Sequence, residues 1–168
     1  MLAAVMLIAG CKTAPPSASG QPASSQPRQP APNAATKAAA TKANLAVEKL
    51  RLAELFRGTP VLFALQPDGS LRAEVPLQFS FDAGKALVKP PLAAVLDRIA
   101  AGQLHEVTQV VVHGPLDPAD KGAALAGDRA ASVQAYLVAH GLAAARVAVS
   151  NLAGAPLVRI VVTDAAAP

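Results

Sequence analysis

The chain has 168 residues and a formal net charge of +4 at pH 7, with 52% hydrophobic and only 3% aromatic residues. This length suits one modest domain with flanking segments, and so few aromatic rings argue against stacking platforms for bases or sugars. The positive excess lies within residues 12–44, which hold four basic and no acidic side chains, whereas residues 45–168 hold 11 of each sign. A folded part without net charge lacks the excess of basic side chains that is typical of a nucleic-acid-binding domain. The basic segment suits either a tether near anionic lipid or cell-wall polymer, or a linker that its charges keep solvated.

The only cysteine, Cys11, follows an apolar stretch over residues 2–9 and the sequence LIAG at residues 7–10. The stretch matches the ~7–15 apolar residues of a signal peptide. It falls short of the ~20 residues of a membrane-spanning helix, which is an alternative together with a frayed terminus. The pattern resembles a bacterial lipoprotein signal with its lipobox. The resemblance implies that residues 1–10 are removed and that Cys11 carries lipid such as palmitate. With Lys12 at the next position, it also implies an outer-membrane anchor with the rest of the chain in the periplasm.

The segment after Cys11 is rich in proline, alanine, serine and glutamine and has no aromatic residue over residues 12–36. Such a composition cannot bury enough apolar surface to offset the entropy lost on ordering. We therefore expect residues 11–43 to form the lipidated cysteine and a disordered linker.

A helix is predicted where the linker composition gives way to alanine and lysine, both of which favour helices. Leu45, Leu52 and Phe56 lie on roughly one face of that helix. We expect it to span residues 44–58 and to lead into a domain over residues 59–165.

The domain alternates between strand and helix patterns. Alternation of Leu77, Phe79 and Phe81 predicts that the second strand continues to residue 81, and Pro90 opens a helix at a position where proline is tolerated. The predicted elements are strands 61–66 and 71–81, a helix from residue 90 to residue 102, strand 107–112, helix 123–140, and strands 146–152 and 157–163. The order β-β-α-β-α-β-β predicts an α+β sandwich with two helices on one face of a mixed sheet.

Three segments of the domain occur in an order that resembles a known family: FSFD at residues 79–82, VVVHGPLD at residues 110–117 and LAGDRA at residues 125–130. They are similar to the OmpA-like domain that binds peptidoglycan, and the resemblance covers about residues 61–163. In that family a loop aspartate and a helix arginine hold the zwitterionic diaminopimelate of the peptide stem. Carried over, the resemblance implies that Asp117 takes the ammonium and that Arg129 takes the carboxylate through its planar fork of donors. A salt bridge between these two side chains is the alternative interpretation.

The chain departs from the family pattern around this site. Leu116 replaces the usual hydroxyl residue before the aspartate, and Pro115 and Pro118 remove backbone N–H donors. Residues 155–157 read APL where the family has Asn-Arg-Arg. Each lost charge-assisted hydrogen bond costs about 1.5–3 kcal/mol, so these departures predict weaker binding of a carboxylate-rich ligand.

Catalytic and metal chemistry find little support in the sequence. His105, His113 and His140 lie in separate predicted elements without ligand-like spacing to each other or to Cys11. No nucleophile lies in a recognisable elbow, and no glycine-rich phosphate loop occurs. We expect no enzyme activity, no metal and no cofactor.

The sequence therefore predicts an outer-membrane lipoprotein of a Gram-negative envelope. Its OmpA-like domain would bind peptidoglycan non-covalently and link membrane to cell wall. The alternative is an interaction module of an envelope or secretion complex, which keeps the fold, contacts other envelope proteins and has lost the peptidoglycan site.

Overall fold

The computed structural model describes residues 34–117, 124–150 and 155–165, which all belong to one unit, Pro32–Pro168. The predicted signal peptide, Cys11 and most of the predicted linker lie outside the described residues. Within these three stretches, no helix combines the length and the apolar character needed to cross a membrane.

The described elements follow the predicted order. The helices are α1 (Ala34–Leu55), α2 (Leu77–Ser80), α3 (Pro90–Gln103) and α4 (Ala124–Ala139), with a 3₁₀ turn at Ala144–Arg146. The strands are β1 (Leu62–Leu65), β2 (Leu71–Pro76), β3 (Thr108–His113), β4 (Val147–Ser150) and β5 (Leu157–Asp164). The predicted α+β class is confirmed, and α2 is an addition to it.

The five strands form one mixed sheet in the order β1-β2-β5-β3-β4. All neighbouring pairs are antiparallel except β3 and β4, which are parallel. The register places Val110 opposite Val162 on β5 and Val147 on β4, and Ala73 on β2 opposite Ile160. All five side chains are buried, so a single face of the sheet forms the core.

The helices α3 and α4 cover this face, as the sequence predicts, and α1 joins them. Val133 of α4 and Leu96 of α3 are fully buried in the same apolar cluster as Leu45 and Leu52 of α1. The helix α1 begins at Ala34 rather than at residue 44, so part of the predicted linker is helical. Contact with the sheet stabilises a helix whose alanine- and lysine-rich first half would be marginal by itself.

The predicted continuation of the second strand to residue 81 is wrong. The strand β2 ends at Pro76, and the next residues form the single turn α2, closed by the Phe81 N–H donating to the Leu77 carbonyl at 2.9 Å. Proline has no N–H for a strand ladder. The Leu77 N–H donates instead to the Pro156 carbonyl at 3.0 Å, which ties α2 to the segment before β5.

Candidate functional site

The chain leaves β3 against helix α4, and this contact positions Asp117. Gly114 is buried, and a Cβ atom at this position would overlap the backbone carbonyl oxygen of Ala126 in α4. The close approach therefore requires a residue without a side chain. Two residues on, the Leu116 N–H donates to the Ala155 carbonyl at 3.0 Å, which fixes the loop that presents Asp117.

A tight turn between α2 and α3 lies opposite this loop. The Lys85 N–H donates to the Asp82 carbonyl at 3.1 Å, and Gly84 has a φ of 66°, a left-handed conformation that favours glycine. The Lys89 N–H then donates to the Ser80 carbonyl at 3.0 Å as α3 begins. The side chains of Lys85 and Lys89 both lie near the Asp82 carboxylate, at 3.7 Å and 3.3 Å.

The guanidinium of Arg129 connects the loop at Asp117 to this turn. Arg129 is 0% exposed, and its Nε donates to the Lys85 carbonyl at 2.9 Å while its Nη2 donates to the Asp82 carbonyl at 3.2 Å. The same Nη2 lies 3.7 Å from Oδ2 of Asp117, and the guanidinium lies 5.4 Å from the centre of the Phe81 ring. Burying a cation is costly unless such partners compensate it. Arg129 thus joins α4, the turn at residues 82–85 and the loop at Asp117.

The structure brings the predicted pair together, with Asp117 on the loop after β3 and Arg129 on α4. The distance of 3.7 Å makes this an ion pair, longer than the ~2.7–2.9 Å of a short charge-assisted hydrogen bond. Asp117 keeps 13% of its side chain exposed, whereas Arg129 keeps none. A contact of either side chain with a ligand stays a prediction.

A groove of 570 Å³ opens beside this pair. Its lining is mostly apolar, and among the described lining residues Asp117 is the only ionisable one. The lining residues are Pro76, Leu77, Gln78, Phe81, Ala83, Asp117 and Pro156. Of the described ranges, the groove therefore draws on the end of β2, on α2, on the turn after it, on the loop after β3 and on the segment before β5.

Sequence reasoning missed most of this lining. It placed Leu77 in a strand with its side chain in the core, and it treated Pro156 only as a departure from the family motif. Pro76 is the sequence feature that could have located the groove. A proline has no N–H to donate to a neighbouring strand, so a strand inside a sheet is expected to end there.

The histidines lie apart from the groove lining. His140, at the end of α4, lies 3.4 Å from the Asp97 carboxylate of α3, and Asp97 also accepts the hydroxyl hydrogen of Tyr136 at 2.8 Å. That hydrogen bond raises the pKa of Tyr136. Within residues 34–117, 124–150 and 155–165, no group of three or more His, Cys, Asp or Glu side chains is placed to hold a metal ion.

Comparison with solved structures shows which fold this is. A MotB-like protein from Desulfovibrio vulgaris matches with a TM-score of 0.63 and 12% identity, over 76% of this chain and 97% of that one. The cell wall anchor of the T6SS from Pseudomonas aeruginosa matches with a TM-score of 0.56 and 20% identity, over 71% and 96%. The periplasmic domain of Helicobacter pylori MotB matches with a TM-score of 0.53 and 17% identity, over 67% and 83%. No protein-family model and no curated protein matches the sequence. The chain shares the fold of these three structures.

The close approach of β3 and α4 generates a prediction about two glycines. Gly114→Ala should lower the free energy of unfolding by about 1–3 kcal/mol, because the added methyl overlaps the backbone of α4. Gly127→Ala is the matched control within α4, where a Cβ meets nothing within 4 Å. It should raise stability by about 0.5–1 kcal/mol through helix propensity. Urea unfolding measures both, and equal stability of Gly114→Ala and the wild type would contradict the packing described.

Proposed function

We propose that this chain is a non-catalytic envelope protein whose domain binds the peptide stem of peptidoglycan in the groove at Asp117. The main support is the Asp117 carboxylate, which stands in the wall of a groove of 570 Å³ whose other described lining residues carry no charge, and which is backed by the buried Arg129. The fold shared with a protein described as a cell wall anchor supports it.

The groove has the size and chemistry for a peptide side chain. Its volume lies within the ~300–1,000 Å³ of small-ligand sites, which are mostly apolar with a few placed polar groups. Apolar residues such as Leu77 and Phe81 would contact the methylene chain of diaminopimelate, and the partly exposed Asp117 would accept its ammonium. Arg129 holds the carboxylate of Asp117 from the protein side.

The position of the domain in the envelope is part of the proposal. Lipid on Cys11 would anchor the chain in the outer membrane, and the segment from residue 12 to the start of α1 would tether the domain on the periplasmic side. The lipobox-like sequence before Cys11 and the basic excess of residues 12–44 support this arrangement.

A second candidate function is that of a protein-interaction module in an envelope complex. Large apolar side chains are exposed on α1 and on the edge strand β1, namely Val47, Leu50, Leu55, Leu62 and Leu65; we call them the α1/β1 surface. Exposed apolar patches and unpaired edge strands commonly mark protein contacts. The complete burial of Arg129 also favours this candidate, because a ligand carboxylate does not reach its guanidinium in this arrangement.

Co-sedimentation with isolated sacculi tests the primary proposal. The full chain carrying Cys11→Ser, which removes the predicted lipid site, should sediment with sacculi. Ala83→Trp should fill the groove and weaken binding about tenfold or more, a loss of about 1.4 kcal/mol of binding free energy. Ala94→Trp, at an exposed position of α3, is the control and should bind as the parent does.

The results separate the two candidates. Loss of sedimentation by Ala83→Trp alone supports the groove as the wall site. A folded parent chain that stays in the supernatant would rule out wall binding and leave the interaction module.

Metabolic labelling tests the anchor. Cells producing the wild-type chain and fed labelled palmitate should incorporate label into the protein, and Cys11→Ser should abolish it, since this is the only cysteine of the chain. The labelled protein should fractionate with the outer membrane. Equal labelling of both proteins, or of neither, would refute lipid attachment at Cys11.

A further inference from the structure

We infer that the groove selects stem peptides that present an ammonium without a free carboxylate beside it, such as amidated diaminopimelate or lysine. This inference rests on the proposed function and adds which chemical form of the stem the site accepts. It follows from the charge of Asp117 and from the contacts that Arg129 already makes within the protein.

The charge of the described lining favours a cation. Asp117 is the single ionisable residue of that described lining, and the neighbouring lysines pair with Asp82. Lys89 donates to the Gln78 carbonyl at 3.0 Å and pairs with Asp82, and Lys85 pairs with Asp82 as well. A ligand carboxylate in the groove would face the Asp117 carboxylate, and like charges repel at this range.

Arg129, the arginine expected to take the ligand carboxylate, is engaged within the protein. Its Nε and Nη2 hold the carbonyls of Lys85 and Asp82, its Nη2 pairs with Asp117, and none of its surface is exposed. Arg129 is therefore a positioning residue that acts through Asp117.

Three backbone donors at the groove are also occupied. The N–H groups of Leu77, Phe81 and Leu116 donate to protein carbonyls at 3.0, 2.9 and 3.0 Å, and Pro76 and Pro156 have no N–H to offer. A carboxylate brought next to Asp117 would lose hydration beside a charge of the same sign, which is unfavourable. A carboxamide carries no charge and a lysine side chain lacks the group entirely, so neither meets this penalty.

Calorimetric titration of the full chain carrying Cys11→Ser tests the specificity directly. The probes are three stem tripeptides that differ only at the third residue: free diaminopimelate, its amide, and lysine. The amide and lysine forms should bind about tenfold or more tightly than the free acid, the effect expected from one uncompensated charged group.

The outcomes distinguish this inference from the proposed function. Equal or tighter binding of the free acid would overturn the inference and leave wall binding intact. Absence of binding by all three peptides, together with no sedimentation on sacculi, would overturn both.

Two variants test the assigned roles. Asp117→Asn should abolish binding of all three peptides, whereas Asp128→Asn, an exposed carboxylate next to Arg129 on α4, should leave binding unchanged. Arg129→Lys should weaken all three peptides by the same factor, because a positioning residue does not contact the variable group. A selective loss of the free-acid peptide would show that Arg129 holds the ligand carboxylate and would overturn the inference.

Discussion

The buried guanidinium of Arg129 is the interaction on which the groove depends. It holds two carbonyls of the turn at residues 82–85, pairs with Asp117 and lies over Phe81, so three segments distant in sequence are fixed around one charge. A buried cation is tolerated only with such a set of partners, and removing one partner of a buried pair typically costs about 3–5 kcal/mol. The same contacts that stabilise the charge also define the walls of the groove.

Much of the fold could be predicted because its determinants are local. The spacing of Ala126, Ala130, Val133 and Leu137 follows the helical period, and all four are buried against the core. The end of β2 was missed because it depends on a non-local contact, the hydrogen bond from the Leu77 N–H to the Pro156 carbonyl. The alternation of apolar residues after Pro76 fits a strand as well as it fits one helical turn followed by an extended residue.

The candidate site likewise combines features that the sequence predicts with features that depend on non-local contacts. A short motif sufficed to predict that Asp117 and Arg129 lie close together, since one lies on the loop after β3 and the other in the first half of the helix that packs on it. The burial of Arg129 was beyond sequence reasoning, because its partners are main-chain carbonyls that any residue could supply. That burial leaves Asp117 as the one ionisable side chain among the described residues of the groove lining.

Mapping the bound ligand on the protein shows directly whether the groove holds the stem peptide. Backbone amide chemical shifts of the isotopically labelled chain would be followed while the amidated stem tripeptide is added. Binding in the groove should give saturable shifts at Leu77, Phe81, Ala83 and Asp117 and leave the amides along the α1/β1 surface unchanged. Saturable shifts centred on α1 and β1, with the groove amides unchanged, would contradict it.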